Sequence, residues 1–179
     1  MIFAKVNTII NSMKNISAAN KGIIIAGILI IISLVWYYLF HIYTIAEIQP
    51  LLFCIYFIGV IWSVLSQMKN NQINTFKDYF SEGFKTFIVI TLFMIIFTFV
   101  FYKLNPQIIE KVIQENNQMI LKGGNRTKDE INANAAELRK NAMPMLLFFN
   151  TLLYLLMGSI ATGLSSLIAS IKNNSFIKN

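Results

Sequence analysis

Apolar residues along this chain gather into four long runs separated by polar segments. A helix needs about 20 predominantly apolar residues to cross the roughly 30 Å of hydrocarbon in a bilayer. Residues 22–44, 51–68, 84–104 and 143–171 reach that length, so the pattern predicts four membrane spans. The first run is too long for a signal-peptide core and no small-x-small cleavage site follows it, so it reads as a retained anchor. Trp36, Tyr37 and Tyr43 cluster towards its far end, as rings at a membrane interface do. Pro50 introduces the second run, and the fourth is long enough to tilt or to project past the bilayer.

The segments between the runs carry their own periodicity. Ile2, Val6, Ile9, Met13 and Ile16 recur three or four residues apart with Lys5 and Lys14 between them. That spacing predicts an amphipathic N-terminal helix over residues 1–20, lying in the interface. From Phe76 to Phe87 the rings of Phe76, Tyr79, Phe80, Phe84 and Phe87 also recur at helical spacing, with Lys77, Asp78, Glu82 and Lys85 between them. This stretch reads as the threshold of the third span, with rings turned inward, charges in water and only weak pairing among exposed charges. Phe80, Glu82 and Lys85 are accordingly placed at the interface. Asp78 and Glu82, four apart, would suit a paired-carboxylate or metal site, but no third ligand stands near them in the sequence.

Residues 105–141 are polar and predict an extramembrane helical hairpin between the third and fourth spans. Asn105 and Pro106 form a helix start. Ile109, Val112, Ile113 and Ile120 supply an apolar stripe, and Gly123–Gly124 stops it. Thr127 followed by Glu130 is a capping box, with Ile131, Ala135 and Leu138 as the second stripe. The expected organisation is therefore all-α: an amphipathic segment over 1–20, a four-helix transmembrane domain over 21–172 and a tail over 173–179.

Composition sharpens the class. Hydrophobic residues make up 56% of the 179, charged residues only 13%, and the mean hydropathy is +0.60, whereas soluble domains are near a quarter charged. The net charge of +7 is scattered between apolar runs and forms no basic stripe, which argues against nucleic acid as a partner. Its arrangement speaks instead to orientation. Lys5, Lys14, Lys21, Lys69, Lys77, Lys85, Lys172 and Lys178 favour one side and put both termini in the cytoplasm of a bacterial inner membrane. Seven positives between Lys103 and Lys140 fall on the opposite side, in a loop long enough to weaken their vote.

Candidate chemistry is sparse. Cys54 has no second cysteine to pair with and reads as a packing residue, and His41 is the only histidine. No Asp, Glu, Lys or Arg falls in the centre of any run, where transport or intramembrane catalysis usually leaves one. No catalytic set, cofactor site or metal site is expected. Asn150 is the amide best placed to bond across to another helix. Gly158, Thr162 and Ser166, with Ser159 and Gly163, repeat small residues every four positions, as do Gly22 and Ala26. Such spacing lets helix backbones approach closely in lipid, within one chain or between two.

The order of these features resembles one family. The first span, the stretch "FKDYFSEGFKTFIVITLFMIIFTFVFYKLNPQIIEK", the polar segment with "TKDEI" and the closing "MGSIATGLSSLIASI" are similar to the bacterial integral-membrane family catalogued as domain of unknown function 4199, found chiefly in Bacteroidota. The resemblance covers roughly residues 22–172. It implies a four-helix inner-membrane protein and carries no established activity. The expected role is a non-enzymatic accessory or scaffold subunit acting through helix packing. Its partners would be the lipid bilayer and either another membrane protein or further copies of itself. The alternative is a small-solute or lipid transporter using Asn150, His41, Ser63, Ser66 and Thr91.

Overall fold

Why the runs become helices is visible at their first turns. Ser17 accepts a hydrogen bond from the Asn20 N–H at 3.3 Å and opens α1, Ala18–Phe40. The second run lies in α2, Ile45–Gln67, with Pro50 inside the helix rather than before it. In α3, Phe76–Leu104, the Thr75 N–H donates to the Asp78 carboxylate at 2.8 Å, so the aromatic threshold and the third run form one helix. Helix α4 is Pro106–Lys122 and α5 is Lys128–Ile177. The computed structural model describes residues 16–40, 45–67, 75–124 and 127–177, and among these it is all-helical. The amphipathic segment expected over 1–20 falls almost wholly outside the described residues, as do His41 and Tyr43.

Four of these helices, α1, α2, α3 and α5, are long and apolar enough to cross a membrane. Their surfaces agree with that length. Ile31, Leu39, Ile58 and Ile168 are each more than 60% exposed, and water-soluble monomers rarely expose large contiguous apolar patches.

The chain divides into two compact units, residues 1–94 with 153–179 and residues 95–152. In the first, helices meet at small residues. A Cβ on Gly22 would fall 2.8 Å from the Thr86 carbonyl oxygen, and one on Gly83 would fall 2.7 Å from the methyls of both Thr162 and Val64. Ala26, Leu29, Val60, Val64, Phe87 and Ile90 are buried around these contacts. Tyr56 donates its hydroxyl to the Tyr154 carbonyl at 2.9 Å and closes α2 onto α5.

In the second unit, Ile108, Ile113, Ile131 and Ala135 are buried. The buried face of α4 keeps Ile113 of the expected stripe, adds Ile108 and leaves Val112 53% exposed. Asn105 is also used differently. Its side chain caps no N–H of α4 and donates back to the Phe101 carbonyl at 2.9 Å. The helix stops at Gly123, and Gly124 takes a φ of +68°, which a side chain would disfavour. The capping box forms as expected. The Thr127 N–H donates to Glu130 at 2.8 Å, and the Glu130 N–H donates to the Thr127 hydroxyl at 3.3 Å.

Pro144 does not open a new helix. Helix α5 runs unbroken for 50 residues, because the one hydrogen bond that an internal proline removes is a local loss in an otherwise complete ladder. At 1.5 Å per residue its contour is about 75 Å. That is more than twice the roughly 30 Å of hydrocarbon in a bilayer.

Candidate functional site

The chemistry that stands out is a charge inside the first unit. Lys21 sits one turn into α1 with 3% of its side chain exposed, and its Nζ meets Glu82 Oε1 of α3 at 2.7 Å. The same Nζ donates to the Ser66 hydroxyl of α2 at 2.7 Å and lies 3.5 Å from the Ser63 carbonyl. An ammonium has three protons to give, and here each has an acceptor. Ser66 in turn donates its hydroxyl to the Ser63 carbonyl at 2.7 Å.

A second layer lies one turn deeper. The hydroxyls of Ser63 and Thr86 share a hydrogen bond of 2.6 Å. Thr86 Oγ1 is also 3.0 Å from the Glu82 carbonyl and 3.2 Å from the Ala18 carbonyl. Ser63 and Thr86 are fully buried. The cluster therefore ties α1, α2 and α3 together at one end of the unit through groups that satisfy one another. A buried charge is tolerated on those terms and is costly on others.

Glu82 is thus not a water-facing charge of the threshold paired with its neighbours in sequence. It is the counter-ion of a lysine 61 positions upstream. Asp78 is engaged in the Thr75 cap, so the two carboxylates do not share a site. Lys85 is exposed. Phe80 is half-buried in a ladder of rings, 5.8 Å from Phe76 and 6.2 Å from Phe84 between centroids. Trp36 and Tyr37 are half-buried, and Tyr37 meets Tyr38 edge-on at 4.9 Å.

The packing residues divide. Gly22, Ala26, Gly158, Thr162 and Ser166 are all buried. A Cβ on Gly158 would lie 2.6 Å from the Phe87 ring. Gly163, offset by one position from Thr162, has nothing within 4 Å of a Cβ and so takes no part in that seam. Asn150 is half-buried, and no hydrogen bond carries its amide to another helix among the described residues. In the first unit, polar contacts between helices are made by Lys21, Glu82, Ser63, Ser66, Thr86 and Tyr56 instead.

Glu82 precedes Gly83, where α3 comes close to α5, and Lys21 precedes Gly22, where α1 comes close to α3. Each charge is therefore next to a close helix contact. Among the described residues, no group of three His, Cys, Asp or Glu side chains comes together as a metal site would require.

A family model described as Protein of unknown function (DUF4199) matches residues 20–170. No curated protein and no solved structure matches the chain.

Proposed function

The chain belongs to the DUF4199 family, and on that premise we propose that it is a multi-pass inner-membrane protein that works by helix packing, as an accessory or scaffold subunit of a larger membrane assembly. Helices α1, α2, α3 and α5 are its spans, both termini face the cytoplasm, and the polar segment between the third and fourth spans folds as an extramembrane helical hairpin. The observation that carries the role is the saturated Lys21 cluster. A charge that drives transport must be able to exchange its partner, whereas Lys21 has an acceptor for each proton. A fully satisfied polar network rigidifies and specifies a fold.

The test is purification from the native membrane in mild detergent, with the mass of the particle measured. A stoichiometric assembly, with another chain or with further copies, supports the role. A clean monomer at every concentration contradicts it. Orientation is checked separately with Lys77→Cys and Lys122→Cys in a Cys54→Ser background: labelling from opposite sides is expected, and labelling from one side overturns the proposed topology.

Transport of a small solute or lipid is the second reading. It draws on the buried hydroxyls of Tyr79, Thr162 and Ser166, which have no protein partner. Ser63 and Ser66 do not add to it, since both are bonded within the Lys21 cluster. Solute flux in reconstituted vesicles above that of empty vesicles would favour this reading; equal flux would remove it.

A further inference from the structure

Tyr79 is fully buried, and its phenol has no hydrogen-bond partner in the protein. Its ring carries the hydroxyl beyond the carbonyls of its own helix, so α3 cannot satisfy it. Thr162 and Ser166, one turn apart on α5, are also fully buried with unpartnered hydroxyls. Their neighbours behave differently. Ser159 and Ser165 bond the carbonyl four residues back, at 2.7 and 2.6 Å, the usual recourse of a helical hydroxyl in apolar surroundings.

The three unpartnered hydroxyls share one stretch of the seam between α3 and α5. Gly83 meets Thr162 there. One turn earlier on α3, Tyr79 packs in a buried cluster with Val64 and Ala169. The two helices run antiparallel through these contacts, and Ser166 falls between Thr162 and Ala169. A phenol and two hydroxyls, each buried and without a protein partner, thus belong to residues that stand within two helical turns of one another along this seam.

We propose that this stretch of the α3–α5 seam is an internal water-binding site, in which bound water bonds Tyr79 Oη, Thr162 Oγ1 and Ser166 Oγ. The lining selects the ligand. It is uncharged, and the closest ion pair along α3 is neutralised internally, with Lys21 and Glu82 2.7 Å apart, so nothing there recruits an ion. The close approach of Gly83 to Thr162 and Val64 excludes a larger solute. Buried water typically makes about three hydrogen bonds, which these side chains supply. Such a site is independent of whether the protein serves as a scaffold.

The direction of a stability change tests it. Tyr79→Phe, Thr162→Val and Ser166→Ala are made singly and together, and thermal midpoints are measured in detergent. If water is bound, each single change strips it of a partner and lowers the midpoint by about 2–4 °C. The triple variant, with no polar lining left, recovers much of the loss. Midpoints that rise in the single variants would show hydroxyls that were simply unsatisfied, and a triple variant at least as low as the sum would show a packing role; either overturns the site. Ordered solvent density at about 2.7–3.2 Å from Tyr79 Oη in an experimental structure of the wild-type chain is the direct readout. Its absence at a resolution that shows other ordered water overturns the site even if the variants do not fold.

Discussion

Lys21 and Glu82 meet at 2.7 Å with 3% and 15% of their side chains exposed, while Arg139 and Glu110 meet through two hydrogen bonds of 2.5 and 2.6 Å with 56% and 40% exposed. By geometry alone the second pair is the better one, a bidentate fork of the kind that guanidinium groups favour. Environment reverses the order. Exposed pairs contribute little, because water and salt screen the attraction and two long side chains must be held still. The pair inside the helices has given up its hydration, so its members depend on each other and on Ser63 and Ser66. The difference teaches that in this chain an ion pair's importance follows its surroundings and not its shape.

Removing one partner of each ion pair should separate the two environments most clearly. Lys21→Met leaves Glu82 without its counter-ion and should cost about 3–5 kcal/mol, read as a steep fall in thermal midpoint or a loss of folded protein in detergent. Next in size is Gly158→Val, whose new side chain meets the Phe87 ring and should cost about 1–3 kcal/mol through overpacking. Its control is Gly163→Ala, which meets nothing and should gain up to about 1 kcal/mol from helix propensity. Tyr56→Phe deletes the bond to the Tyr154 carbonyl. Hydrogen bonds between membrane helices average about 0.6 kcal/mol, so a shift of one or two degrees is expected.

The smallest effect belongs to Arg139→Ala. At neutral pH its midpoint should lie close to that of the wild type. The hydrogen bond from Arg139 holds the Glu110 carboxyl below its ordinary value, and the guanidinium charge adds to this. A depressed carboxyl contributes stability above its unfolded-state pKa, about 4.3 for glutamate, and loses it as pH falls through the lower folded-state value. Whatever difference separates Arg139→Ala from wild type should therefore be present at pH 6 and vanish in acid. A difference that grows on acidification would contradict the pairing.

How legible these regions were follows from how local their signals are. The four candidate spans are written in long apolar runs, and the described parts of those runs lie in α1, α2, α3 and α5. The Thr127–Glu130 capping box needs only three residues of separation, and it forms as the sequence implies. The ion pair was hidden because Lys21 and Glu82 are 61 positions apart: one looks like a flank and the other like a member of a charged cluster with Lys77, Asp78 and Lys85. Nothing in the periodicity of α3 says which of those charges turns inward. The same limit explains Gly158 and Gly163, which are equally small in sequence and differ only in which side of α5 meets α2 and α3. A proline marks the start of many helices, but Pro144 lies inside one of 50 residues, a placement that depends on the helix around it rather than on the proline.

The central claim is that polar groups inside this protein join helices, and a double-mutant cycle on Lys21→Met and Glu82→Gln tests it most directly. The account predicts that each single variant is strongly destabilised and that the double variant is far less so than their sum, a coupling of about 3 kcal/mol or more between α1 and α3. Two single effects that are small and simply additive would contradict it.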